Sequence, residues 1–173
     1  MTRVERSSGS DRAEALAARL RQAATSLVTV IDAIDDDRWR TVPEPGVWSI
    51  SKEAEHVAEA TVYHQWIVRL TIGQKVPSRR PALERSQMTS NLSRSEAVEL
   101  IDQRVEVSVR LILDLTDAQL NLPTRPPRAN APALSITVDR VLIGHFETHR
   151  AAIEAKVQGR IHGMAEADGG TPR

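Results

Sequence analysis

Apolar residues recur at three- and four-residue spacing in four segments of this chain, and no segment shows the two-residue alternation of a strand. The first runs from Asp11 to Ala33, with Leu16, Leu20, Ala23, Ala24, Leu27, Val30 and Ile31 on its apolar stripe and Ile34 continuing the spacing. The acidic run Asp35-Asp36-Asp37 follows. Negative charge is unfavourable at a helix C-terminus, so the helix is predicted to stop at or before it. Val42-Pro43-Glu44-Pro45-Gly46 is a loop, because two prolines and a glycine forbid a continuing helix. Ser49 or Ser51 then caps a second helix that reaches about Ile72, with Gly73 at its end. Ser93 opens a third helix in a capping-box pattern with Glu96, running to about Leu115. The fourth begins near Ser135 and continues to Val157, with Gly159 as the stop.

Two long connections separate the later helices. One spans residues 74–91 with Pro77 and Pro81. The other spans 116–133 with Pro123, Pro126, Pro127 and Pro132. Each is long enough to cross an end of a bundle. The prediction is an all-α protein, a four-helix bundle with long crossover connections, occupying residues 11–159 as one domain. Residues 1–10 and the polar, glycine-rich tail 160–173 are expected to be disordered. No internal repeat is present.

Composition narrows the function classes. The chain has 173 residues, 40% of them hydrophobic, which fits one domain with a sizeable core. No stretch approaches the roughly 18 unbroken apolar residues of a membrane span. The polar segment from Met1 to Arg12 lacks a signal-peptide core, so a soluble, cytoplasmic protein is expected. The 23 basic residues are balanced by 23 acidic ones, against the basic excess of a nucleic-acid binder. Only Lys52, Lys75 and Lys156 are lysines; the rest are arginines scattered among Asp and Glu. Cysteine is absent. That removes disulfides, thiolate ligands and a cysteine nucleophile together, so any thiol chemistry needs a thiol from outside.

Histidines carry the candidate chemistry. His145 and His149 are four residues apart and fall inside the fourth helix's predicted apolar stripe, Val138, Val141, Leu142, His145, His149, Ala152 and Ile153. Residues at this spacing share one helix face. Buried imidazoles must be hydrogen-bonded or ligated, at a cost of about 1–3 kcal/mol each otherwise. His56, on the second helix, shares a face with Ala60, Tyr63 and Ile67. It lies beside the core stripe Ala54, Val57, Thr61, His64 and Val68, so it is expected at a seam between helices. Neutral imidazoles suit divalent zinc, nickel, iron or manganese. The pair alone is also compatible with two hydrogen-bonded core histidines.

Other polar groups are weaker candidates. His64 is expected to pack or to donate one hydrogen bond, and His162 falls in the tail. Glu53 and Glu59 flank His56 at three residues on either side. Either could hold the second nitrogen of a ligating histidine, although a solvated helix face accounts for both. Glu147 is turned about 200° from His145 and should face away. Tyr63 is the most plausible hydroxyl near a site, with packing as its other reading. Trp48 reads as a packing anchor beside the cap Ser49. No phosphate-binding glycine loop, HExxH motif or Ser-His-Asp order is present.

Two of these motifs together resemble a known family. Pro45-Gly46-Val47-Trp48-Ser49-Ile50-Ser51-Lys52-Glu53-Ala54-Glu55-His56 is similar to the segment that opens the second helix of the DinB/YfiT-like superfamily. There a Trp-Ser pair precedes a histidine at this spacing. His145-Phe146-Glu147-Thr148-His149 resembles its HxxxH motif on the fourth helix, about 90 residues later. The resemblance implies a four-helix bundle holding one divalent metal, zinc or nickel, through His56, His145 and His149, often as a homodimer. It also implies relatives that are transferases or isomerases using a low-molecular-weight thiol such as mycothiol or bacillithiol, alongside members without known activity. The apolar residues Val105, Val107, Val109, Leu111, Ile112 and Leu113 exceed what one stripe needs and agree with a dimer.

Three functions remain open on the sequence. The first is a metal-dependent thiol transferase or isomerase, with a small-molecule thiol and an electrophile as partners and neither nucleic acid nor membrane. The second is a metal-dependent hydrolase, which needs a general base beside the metal. The third is a non-enzymatic, stress-associated dimer with a structural metal or none, favoured by a site closed to solvent.

Overall fold

Helices form where the apolar spacing places them, and short polar signals set their ends. The structure, a computed structural model, describes residues 10–79, 81–126 and 130–160. The expected disordered termini and His162 fall outside these residues, apart from Ser10 and Arg160. Helix α1 (Asp11–Asp32) is capped by Ser10, whose hydroxyl accepts from the Ala13 amide. It ends ahead of the acidic run. That run then starts a helix of its own, α2 (Asp36–Trp39), in which the Asp35 carboxylate accepts from the Arg38 amide at 2.9 Å. Carboxylates that oppose a helix C-terminus favour an N-terminus. The short turn buries Trp39, whose indole N–H donates to the Leu92 carbonyl at 2.8 Å.

Helix α3 (Ile50–Thr71) is capped by Ser49, the first of the two expected candidates, and ends at Gly73 with φ 76°. Helix α4 (Arg94–Leu113) carries the expected capping box between Ser93 and Glu96. The short α5 (Asp117–Leu120) carries a second box, between Thr116 and Gln119. The last long helix is continuous but not uniform. It passes from α6 (Leu134–Thr137) through a π-helical segment (Val138–Ile143) into α7 (Gly144–Val157).

The four long helices form a square. α1 packs on α4 and α7, and α3 packs on the same two, so α1 and α3 occupy opposite corners. The third connection crosses an end of the bundle as expected. The second does not: α3 and α4 are neighbours, and residues 74–79 and 81–93 fold back along α3. The other diagonal crossing is made by the first connection, through α2 and the Pro43–Pro45 loop.

The core is aliphatic. Leu20, Leu27 and Ile31 of α1, Ala54, Val57 and Val68 of α3, Ile101, Val109 and Ile112 of α4, and Leu134, Val138 and Phe146 of the last helix belong to one buried cluster. Most of the apolar excess on α4 is absorbed inside this bundle. Val105, Val109, Leu111 and Ile112 are buried and Leu113 packs against the core, leaving Val107 exposed.

The π segment changes the expected stripe of the last helix. A π turn takes an extra residue and shifts the phase of every side chain around it. Val141 is therefore 45% exposed, while Ile143 and Phe146 turn inward and are buried.

Candidate metal centre

The three histidines meet. His56 projects from α3, and His145 and His149 from successive turns of α7, its neighbour in the square. Ring centroids are 5.1 Å apart for His56 and His145, 5.0 Å for His56 and His149, and 4.3 Å for His145 and His149. One ring nitrogen from each lies within 4.8 Å of the others. His56 and His149 are buried and His145 is half-buried.

Local sequence builds the walls around them. The Ser49 hydroxyl accepts from the Lys52 amide at 3.2 Å, and the Ser49 amide donates to the Met88 carbonyl at 2.8 Å. One residue therefore starts α3 and pins the long connection beside it. Gly46, at φ 84°, turns the chain so that Trp48 lies over the site, its ring 4.9 Å from that of His56. Trp48 is thus half-buried and lines the site, where a packing anchor was expected. The anchoring tryptophan is Trp39.

Glu53 faces the histidines and not solvent. Its Oε2 accepts from His149 Nδ1 at 2.5 Å, and its Oε1 is paired with Lys156 Nζ. Burial pushes the Glu53 carboxyl up. The hydrogen bond and charge of His149, followed by those of Lys156, outweigh it and hold the group below its ordinary value of 4.5. An ionised carboxylate only accepts, so His149 carries its hydrogen on Nδ1, and the neutral ring's lone pair is on Nε2. Carboxylates commonly fix a ligating histidine in this way. Glu59 plays no such part. Its carboxylate accepts from the Glu84 amide at 3.2 Å in the long connection, and burial raises its pKa.

Electrostatics keep the His145 ring neutral. The His145 pKa is lowered from 6.5 to about 2, by burial first and then by His149, His64, His56 and Arg85. His145 Nε2 is buried with no hydrogen-bond partner. A buried nitrogen lone pair without a partner, beside two further imidazoles, is what a divalent cation satisfies. The donor set fits a borderline ion such as zinc or nickel, with His56, His145 and His149 able to hold it.

The remaining candidates sort by position. His64 is buried, with its ring 5.6 Å from His145 in an edge-on arrangement, so it packs behind the site. Tyr63 stacks on Trp66 with ring centroids 6.2 Å apart and does not line the site. Glu147 is exposed and faces away, as expected.

Above the histidines lies a cavity of about 570 Å³. Glu53, His56 and His149 form its buried floor, and the exposed residues Arg85, Arg140 and Thr148 its rim. Lys156, Arg85 and Arg140 were not singled out on the sequence. Lys156 had a signal: it lies two helical turns beyond His149 on the same face. Arg85 had none, being in a proline-containing connection, and Arg140 depends on the π turn.

The chain belongs to the DinB superfamily, whose sequence profile matches residues 19–153. A crystal structure of an uncharacterized protein from Clostridium difficile 630 shares the fold with a TM-score of 0.65. The alignment covers 86% of this chain and 97% of that one at 14% identity. No curated protein matches the chain. Among the described residues, no helix is long and apolar enough to cross a membrane.

Proposed function

From a DinB-superfamily bundle whose three histidines meet under an open cavity, we propose a metal-dependent transferase or isomerase that uses a low-molecular-weight thiol such as mycothiol or bacillithiol. His56, His145 and His149 hold the ion, zinc or nickel. The observation that carries the reading is the pairing of an all-histidine donor set with a solvent-open cavity in a chain without cysteine. Three protein ligands leave a position for an incoming group, and the chain has no thiolate of its own to fill it. A divalent ion bound there lowers the pKa of a thiol that reaches it.

The protein's residues divide the remaining work. Glu53 holds the His149 tautomer, and Lys156 balances the charge of Glu53. Trp48 and Val47 cover one side of the cavity. The cavity's one carboxylate, Glu53, is committed to His149 and Lys156, which leaves no general base for a hydrolytic water. The open rim likewise weighs against a purely structural site. A reducing compartment such as the cytoplasm suits a thiol-dependent reaction, and we place the protein there as a homodimer. Light scattering at the monomer mass of 19.1 kDa would count against the dimer.

The test is elemental analysis followed by calorimetric titration with mycothiol, bacillithiol and glutathione. About one divalent ion per chain is expected, with at least one thiol binding the metal-loaded form more tightly than the metal-free form. Equal binding to both forms removes the thiol reading.

A further inference from the structure

Two rows of the last helix line the histidine cavity. Val141, His145 and His149 form one, and Arg140, Gly144 and Thr148 form the other, each at four-residue spacing. The middle of the second row is a glycine, and nothing in the backbone requires one. Gly144 has φ −59° and ψ −25°, right-handed helical values open to any residue. A Cβ built there would come no nearer than 3.9 Å to anything beyond its own helical turn, an ordinary contact with the Asp139 carbonyl oxygen. Glycine inside a helix is less favourable than alanine. The position therefore carries a cost that neither backbone conformation nor packing explains.

What the missing side chain leaves is space. Gly144 is half-buried on the cavity wall and directly precedes His145 in the chain. The lining around it is apolar and partly aromatic: Val47 and Trp48 from the loop ahead of α3, Met88 from the connection and Val141 from the last helix. Val141 is 45% exposed, an apolar side chain that the π segment leaves on the cavity wall. π turns inside helices are frequent at functional sites. The Trp48 ring lies 4.9 Å from that of His56, so the aromatic lining continues down to the histidines. Apolar side chains around a few convergent polar groups are the lining of a small-molecule site, and an indole suits a flat ring.

We propose that Gly144 is the specificity-determining residue of the histidine cavity: the space it leaves between the last helix and the Trp48 loop receives the flat apolar body of a ligand whose polar end reaches the three histidines, so that the cavity selects aromatic over small aliphatic ligands. This deepens the function proposed above and rests on it for the cavity being where ligand meets the histidines. The aromatic body is carried either by the incoming thiol or by its electrophilic acceptor, and the probes separate the two.

The experiment is an NMR titration of the full chain, zinc-loaded and metal-free, with two matched pairs: phenylmethanethiol against ethanethiol, and benzyl alcohol against ethanol. The aromatic member of at least one pair should bind about tenfold more tightly than its aliphatic partner, the low end of what one methylene contributes in an apolar pocket. Gly144→Leu fills the space and should bring that preference to near unity, with zinc affinity unchanged within about twofold. Gly144→Ala should melt no lower than the parent and show an intermediate preference. A preference in the thiol pair alone assigns the aromatic body to the thiol, and in the alcohol pair alone to the acceptor. Equal affinities within both pairs, or no binding of either aromatic probe, overturn the proposal. So does a preference that survives Gly144→Leu. Unfolding of Gly144→Ala would also overturn it, because the glycine would then serve the backbone. Equal, zinc-dependent binding of both thiols, with no benzyl alcohol preference, would sink the Gly144 assignment and leave the thiol reading standing. A Gly144-dependent benzyl alcohol preference without thiol binding to either form would do the reverse.

Discussion

Helix α3 carries two glutamates two residues apart, one paired with the buried Lys52 and the other with the half-buried Lys156, and the two pairs behave differently. Lys52 is 0% exposed. Its Nζ donates to Glu55 Oε2 at 2.6 Å, while the Ser90 hydroxyl donates to Glu55 Oε1 at 2.9 Å and the Ser90 amide to the Ser51 hydroxyl at 3.2 Å. No buried side-chain atom of that cluster lacks a partner. It sews the long connection onto α3, and none of its residues lines the histidine cavity. The Lys156–Glu53–His149 chain, with Glu53 and His149 buried and Lys156 half-buried, leads to His145, whose Nε2 has no partner, and to the open cavity. A buried charge is therefore a poor marker of function by itself. What separates the two clusters is whether the hydrogen bonding closes on itself or ends at an unsatisfied atom facing space.

The contrast is broken most completely by His145→Ala. This variant should lose metal binding altogether while the metal-free fold holds or gains stability, since a buried nitrogen without a partner is removed. Elemental analysis beside thermal denaturation reads both. Retention of the ion would mean that the three histidines are not the ligands.

Lys52→Met should give the opposite pattern. Removing one partner of a buried pair leaves the other uncompensated, and a loss of about 3 kcal/mol is expected, with metal content per folded chain unchanged. Urea unfolding measures it. A loss of metal without a loss of stability would put Lys52 in the site and undo the comparison.

Glu53→Gln sharpens the difference on the functional side. The ligands remain, but the group that orients His149 is weakened, so zinc affinity should fall about 10- to 100-fold. Competition with a chromophoric chelator gives the affinity. An unchanged value would make Glu53 as structural as Glu55.

The smallest effect is the pH dependence of the metal-free protein. His145 has a folded pKa near 2 against 6.5 in the unfolded chain, so the unfolded state binds the extra proton between those values. Stability should fall as pH drops below about 6.5, by up to about 1.4 kcal/mol per pH unit from this group. Glu53 acts in the same direction lower down. Its depressed pKa makes its contribution full above 4.5 and lost as pH falls through the folded value. Denaturation at pH 7 and pH 5 should show the His145 slope in the parent chain and a flatter one in His145→Ala. Equal slopes would show that burial of His145 is not what keeps it neutral.

The four helices, their caps at Ser49 and Ser93 and the stops near Gly73 and Gly159 were legible along the chain. A helix registers its buried face every three to four residues, and its end groups are satisfied by neighbours in sequence. The pairing of His56 with the HxxxH motif was legible for a related reason: each histidine sits in a local pattern, and the family resemblance joined the two. Less was legible wherever a partner comes from far along the chain. Glu53 read as a solvated position because its two partners, His149 and Lys156, lie 96 and 103 residues away. Lys52 has no local pattern that marks it as buried, and it shares Glu55 with Ser90 of the long connection.

Local periodicity and capping chemistry were thus enough for an all-α bundle and for a candidate triad. Three things depended on packing in three dimensions. The diagonal placement of α1 and α3 brought α3 beside α7. A π turn, invisible to a 3.6-residue period, moved Val141 and Arg140 to the cavity wall and Phe146 to the core. The fold also chose which of two Glu–Lys pairs on α3 would close on itself and which would line the cavity. Each is a non-local outcome, since the energy of a buried polar group is set by the partner that long-range packing supplies and not by the residues next to it in the chain.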